Sequence, residues 1–227
     1  MYVFTGKIKK IIRQPNTSYF IVNKNNFSLP VYQCVNEAAI SILELINLNY
    51  TLDEIVQSLA KRFNELEVTV RERAVSFINE MIKYKILEIG TEGKLNNIPS
   101  FGSDKYFTPE YVMLELTSSC NLDCVHCYLG KKTNISVDFE MLKRVLSQLV
   151  ELGINNIQLT GGEPLLYKKI KDVILFLVKH NVRVNISTGA YIEDDTYSEI
   201  ISALSMLRNT QGHVQISIDG TEKNIIQ

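Results

Sequence analysis

The chain has 227 residues, enough for one large or two modest domains. It is 45% hydrophobic and 22% charged with a formal net charge of -1, so its composition is that of a globular protein and gives no global basis for nucleic-acid binding. No apolar run approaches bilayer length and no charged-then-apolar signal segment opens the chain, which predicts a cytoplasmic protein with no nucleic-acid and no membrane partner.

Residues 1–36 contain Lys7, Lys9, Lys10, Arg13 and Lys24 but no acid. Such a surface can attract an acidic peptide; a solvated edge of a small sheet explains it equally well. Tyr19 to Asn23 and Phe27 to Cys34 are aromatic and β-branched runs separated by Lys24-Asn25-Asn26, and they read as a hairpin. Cys34, at a strand end, reads as a buried structural thiol.

Three helices follow. The first carries Ala39, Ile42, Leu43 and Ile46 on one face, with Asn36 as its cap. In the second, Thr51 and Glu54 form a capping-box pattern ahead of Leu52, Ile55, Val56, Leu59, Ala60 and Phe63. Thr69 and Glu72 repeat that pattern ahead of Ala74, Phe77, Ile78, Met81 and Ile82. A short strand, Ile86 to Ile89, closes the unit, and Gly90, Gly93, Asn96, Asn97 and Pro99 mark a linker.

A small sheet with three helices is a winged-helix pattern. Residues 51–85 hold six basic and six acidic side chains, which makes no phosphate-tracking stripe. An exposed sheet edge that accepts an extended peptide fits better. The runs Val35-Asn36-Glu37-Ala38-Ala39, Ile42-Leu43-Glu44-Leu45 and Tyr50-Thr51-Leu52-Asp53-Glu54-Ile55-Val56 resemble the RiPP recognition element, a PqqD-like winged helix. The resemblance implies a domain over 1–95 that captures the leader of a ribosomally made precursor peptide, followed by a linker over 96–110.

From 111 onward strand and helix alternate, which predicts an α/β unit with a parallel sheet and right-handed crossovers. The predicted strands are Tyr111–Thr117, Asn156–Thr160, Val182–Ser187 and Val214–Ile218. Between them lie helix faces of Leu142, Val145, Leu146, Leu149 and Val150, then Ile170, Val173, Ile174, Leu177 and Val178, then Tyr197, Ile200, Ile201 and Leu204. Ligands gather at the carboxyl ends of such strands. Cys120-x3-Cys124-x2-Cys127 follows the first, Gly161-Gly162-Glu163-Pro164 the second, Ser187-Thr188-Gly189 the third, and Ser217-Ile218-Asp219-Gly220 closes the fourth.

Three thiolates on one short loop can bind three irons of a cubane cluster and leave a fourth iron open, whereas electron-transfer clusters are closed by a fourth cysteine. A disulfide leaves one of three thiols unpaired. Structural zinc wants four ligands, usually as two separated pairs, and His126 sits too close to its neighbours for easy tetrahedral geometry. Gly-Gly-Glu-Pro alone is a weak turn signal that a tight strand-to-helix connection would explain.

Together, the cysteine and Gly-Gly-Glu-Pro motifs over 111–227 resemble the radical SAM superfamily. The resemblance implies a partial parallel (β/α) barrel, here its first four strands, with a 4Fe-4S cluster on Cys120, Cys124 and Cys127. S-adenosyl-L-methionine would chelate the open iron. Gly161, Gly162, Glu163 and Pro164 match the motif for its methionyl amino group, and Tyr128 the position that helps seat adenine. Ser187 stands in the strand-three motif; Ser217 and Asp219 match the strand-four motif near the ribose. Thr188 departs from the asparagine usual at its position, and His126 is a variable loop position.

The resemblance also implies the chemistry: reductive cleavage of the cofactor to a 5′-deoxyadenosyl radical that abstracts hydrogen from a precursor peptide, with flavodoxin or ferredoxin as electron donor. The family barrel has further strands and often a second cysteine cluster, so the chain reads as truncated at its carboxyl end. Other readings remain: a radical SAM maturase of another protein or of a cofactor, or a peptide-binding adaptor without catalysis. A winged-helix redox sensor is a third, against which the Gly-Gly-Glu-Pro motif argues.

Overall fold

A computed structural model describes residues 1–22, 31–90, 96–130, 133–190 and 194–218. The expected turn Lys24-Asn25-Asn26, the run Phe27–Pro30, Gly93, Asp219 and Gly220 lie outside the described residues. The chain divides into two units, Met1–Thr108 and Pro109–Gln227.

In the front unit, β-branched and aromatic runs form β1 (Tyr2–Phe4), β2 (Ile8–Arg13), β3 (Ser18–Val22) and β4 (Val31–Val35). Then come α1 (Glu37–Asn47), α2 (Leu52–Phe63), α3 (Glu67–Lys83), β5 (Leu87–Ile89) and β6 (Ser100–Gly102). β1 pairs antiparallel with β5, and a separate sheet has the order β4-β3-β2-β6. β6, within the stretch read as a linker, runs parallel to β2, with Ile11 opposite Ser100 and Arg13 opposite Gly102.

The caps explain where the helices start. The Asn36 side chain accepts from the Ala39 N–H at 2.9 Å, and Thr51 and Glu54 close a reciprocal capping box. The cap expected at Thr69 does not form. α2 ends at left-handed Asn64, and the chain re-enters helix directly after Glu65 and Leu66, which leaves Thr69 inside the first turn of α3. Phe4, Ile8, Ile11 and Phe20 from the strands pack with Leu43, Ile46, Ile55, Leu59 and Ile78 from the helices. Each such side chain contributes roughly 1.5–3 kcal/mol of transfer free energy.

Two expectations are corrected here. Cys34 is exposed: it lies on β4, which among the described residues is an edge strand, and its side chain lines a surface groove. The basic surface is also smaller than the sequence implies. Lys10 is 4% exposed, with its ammonium 5.5 Å from the Phe101 ring centroid. Burial, and secondarily the charge of Lys9, pull its pKa down to about 8. Arg13 is bound by the Glu44 carboxylate and the Ser41 hydroxyl, and the Glu44 hydrogen bond raises its pKa.

The second unit alternates β7 (Val112–Thr117), α4 (Phe139–Glu151), β8 (Asn156–Gly161), α5 (Ile170–Lys179), β9 (Arg183–Thr188), α6 (Asp194–Ser205) and β10 (His213–Ile216). Among the described residues its strand pairings are parallel, in the order β7-β8-β9-β10, with one isolated antiparallel bridge between Thr117 and Ser136. Period-two alternation sends Leu116, Ile157, Leu159, Val184 and Ile186 into a core with Leu142, Leu146, Val173, Ile174 and Leu177 from the helices. Among the described residues, no helix is long and apolar enough to cross a membrane.

Candidate functional site

Parallel strands put their carboxyl ends on one edge of the sheet, so the loops after β7, β8, β9 and β10 gather there. Cys120, Cys124 and Cys127 follow β7 as half-buried thiols outside any disulfide, while His126 between them is exposed. Local bonds shape the loop. The Leu122 N–H donates to Cys120 Sγ at 3.4 Å, Cys127 N–H to the Cys124 carbonyl at 3.1 Å, and Gly130 N–H to the Cys127 carbonyl at 3.2 Å. Among the described residues, no three His, Cys, Asp or Glu side chains are gathered as ligands of a single metal ion. A cubane cluster asks for something else: each thiolate takes its own iron, and three sulfur donors on one short loop meet that chemistry.

The Gly-Gly-Glu-Pro turn after β8 lies directly on the root of this loop. Gly162 N–H donates to the Thr117 carbonyl at 2.7 Å and Glu163 N–H to the Ser119 carbonyl at 2.8 Å. Glycine is required by two separate constraints. Gly161 has φ +128°, and a Cβ there would meet the Thr117 oxygen at 2.3 Å; a Cβ on Gly162 would meet the Ser119 oxygen at 2.2 Å. Pro164 opens a single 3-10 turn, Pro164–Leu166.

The Glu163 side chain is 1% exposed and points into the protein. Its Oε1 accepts from the Leu165 N–H at 3.0 Å and the Thr188 hydroxyl at 2.7 Å; its Oε2 accepts from the Gly189 N–H at 2.9 Å. Thr188 Oγ1 in turn accepts from the Ala190 N–H at 2.8 Å. The Ser187 hydroxyl accepts from the Gln158 amide at 2.8 Å, and Ser217 N–H donates to the Thr188 carbonyl at 2.9 Å. Tyr128 donates its hydroxyl to Glu115 Oε1 at 3.1 Å. Desolvation, then the Glu115 hydrogen bond, hold that phenol above its ordinary pKa.

The structure therefore brings the cysteine loop, the glycine pair, Glu163 and the β9 turn together, with Ser217 adjoining. Glu115, Ser119 and Leu122 escaped the sequence reading as site residues, whereas Gly189 was already part of the strand-three motif. A signal existed for Glu115, a carboxylate inside an apolar strand; none existed for Ser119 and Leu122, whose roles depend on contacts between loops.

The chain belongs to the radical SAM superfamily, whose family model matches residues 114–227. Within the front unit, residues 28–87 match the model of coenzyme PQQ synthesis protein D (PqqD). The antilisterial bacteriocin subtilosin biosynthesis protein AlbA of Bacillus subtilis (strain 168) is 22% identical over 195 residues, 83% of this chain and 44% of AlbA. The sporulation killing factor maturation protein SkfB of the same organism is 34% identical over 147 residues, 63% of this chain and 34% of SkfB. Among solved structures, Streptococcus suis SuiB bound to precursor peptide SuiA superposes with a TM-score of 0.53 at 17% identity, over 90% of this chain and 46% of that one. The fold is thus a radical SAM partial barrel preceded by a PqqD-like α+β domain. The chain spans under half the length of each of these relatives.

Proposed function

We propose that this chain acts in the maturation of a ribosomally made peptide, the front unit holding the precursor's leader and the second unit performing radical chemistry on its core. One observation carries this reading: a single chain joins a PqqD-type domain having a one-sided edge strand to a three-cysteine loop seated on a Gly-Gly-Glu-Pro turn.

In the front unit, β4 pairs with β3 on one flank and, among the described residues, with no strand on the other. A groove of about 540 Å³ adjoins it, lined by Phe20, Val22, Cys34, Phe77, Met81 and Tyr84. An extended leader can add to β4 through backbone hydrogen bonds while alternate side chains enter the groove. Holding the leader raises the effective concentration of the core near the reacting site.

In the second unit, Cys120, Cys124 and Cys127 would ligate a 4Fe-4S cluster. The backbone of the turn Gly161-Gly162-Glu163-Pro164 would receive the methionyl end of S-adenosyl-L-methionine, Tyr128 its adenine, and Ser187, Ser217 and Asp219 its remaining polar groups. When bound and reduced by a donor such as flavodoxin or ferredoxin, the pair supplies a 5′-deoxyadenosyl radical that takes a hydrogen atom from the peptide. The protein's share is orientation: Glu115 fixes the Tyr128 hydroxyl, and Gln158 fixes that of Ser187.

Anaerobic reconstitution with iron and sulfide, followed by dithionite and S-adenosyl-L-methionine, tests the reading. The expected product is 5′-deoxyadenosine. A cluster-loaded chain that neither binds the cofactor nor cleaves it would return the protein to a peptide-binding adaptor. Tetrahedral zinc on the cysteines would remove the radical reading altogether.

A further inference from the structure

The three loops at the carboxyl edge of β7, β8 and β9 touch one another pairwise. The first contact joins the glycine pair to Thr117 and Ser119 at the root of the cysteine loop. The second is the Glu163 carboxylate, which leaves the β8 turn and accepts from Thr188 and Gly189 on the β9 turn. The third closes the ring: a Cβ on Gly189 would stand 2.6 Å from Leu122 Cδ1, so the β9 turn lies against the cysteine loop itself.

A carboxylate has about four acceptor sites, and three on Glu163 are already taken by donors of this chain. A group that is 1% exposed and so fully bonded has little capacity left for a ligand's ammonium. Removing one of its donors leaves a buried carboxylate short of a partner, so the donors support one another. Thr188 is its least replaceable donor, because its hydroxyl also fixes Ala190, which sits at φ +58°.

We propose that Glu163 and Thr188 are positioning residues: they lock the β9 turn to the β8 turn and thereby set the cysteine loop, acting on cluster and cofactor only through that placement. The inference builds on the cluster and cofactor assignment above, but its test separates the two.

The full chain is compared as wild type, Thr188→Val, Thr188→Ser and Glu163→Gln. In the apo protein, hydrogen exchange read by mass spectrometry reports residues 117–122, which neither altered side chain belongs to. After anaerobic reconstitution, iron per chain and S-adenosyl-L-methionine affinity are measured. Thr188→Val and Glu163→Gln should both speed exchange at 117–122 and weaken cluster retention about tenfold or more, as loss of a supporting group does at other metal sites. Thr188→Ser, which keeps the hydroxyl, should restore both. The inference is overturned if Thr188→Val exchanges faster only around residues 188–190 with the cysteine loop unchanged. It is equally overturned if Glu163→Gln loses cofactor affinity with iron content intact, which would put the carboxylate on the cofactor directly. A wild-type chain that takes up no cluster sinks the function proposed above, and the exchange comparison still decides this one.

Discussion

The two units offer opposite kinds of binding surface. The front unit presents, among the described residues, an edge strand beside a groove whose apolar lining also carries Lys7, Gln33 and Glu80, where on the function proposed above backbone groups and generic side chains would do the recognising. The second presents loops tightly packed at their roots, so that a single added methyl group at Gly162 would sit 2.2 Å from a backbone oxygen. A backbone edge tolerates side-chain change because its hydrogen bonds belong to every residue type. A cofactor cradle does not, because its geometry is set by particular atoms at particular distances. Substitutions should therefore grade affinity in front and abolish assembly behind.

The largest effect should come from Cys120→Ser, Cys124→Ser or Cys127→Ser. Each should reduce bound iron after anaerobic reconstitution to near background, while leader binding by the front unit stays unchanged. A variant keeping full iron content would show that its thiol is no ligand. Next, Gly162→Ala should destabilise the second unit by about 1–3 kcal/mol, as overpacking does elsewhere, read from denaturant unfolding. An unchanged midpoint would mean that the turn and the loop root can separate freely.

A smaller, graded effect is expected in front. Tyr84→Ala in the groove should weaken binding of a leader peptide about tenfold with stability within about 0.5 kcal/mol. Complete loss of binding there would erase the contrast between the units. The smallest effect is a pH slope. Lys10 has a folded pKa of about 8 against an ordinary 10.5. Between those values the unfolded chain holds more protons than the folded one, so stability rises with pH across that window. Below about pH 8 the full burial penalty applies. Lys10→Met should flatten the slope; a wild-type midpoint independent of pH from 8 to 10 would contradict the burial of this ammonium.

Much of this was legible beforehand where the physics is local. Asn36 and the Thr51–Glu54 box cap their helices as their sequence positions imply. The core face of α5 follows from helical spacing, and that of α4 does except at Val145, which is exposed. Errors arose where a local pattern met a non-local cause. Thr69 has the chemistry of a cap, but left-handed Asn64 sets the earlier start of α3. Cys34 has the character of a buried thiol, but its strand is an edge. The strand β1 escaped because its partner β5 is distant in sequence; β2, a hairpin partner of β3, escaped because Lys9 and Lys10 break its apolar run, and its parallel partner β6 lies far along the chain.

The sequence alone determined which chemistry the chain can support, since three thiols at fixed spacing and a glycine pair ahead of a carboxylate are properties of residue type and order. Tertiary structure decided how those groups are held. It buried Lys10 and tied Arg13 to Glu44, so part of the basic content did not become basic surface. It turned the Glu163 carboxylate inward to Thr188 and Gly189. The reason is the same in each case: a one-dimensional pattern fixes which face of its own element a side chain takes, while its partner comes from whatever the fold packs against that face.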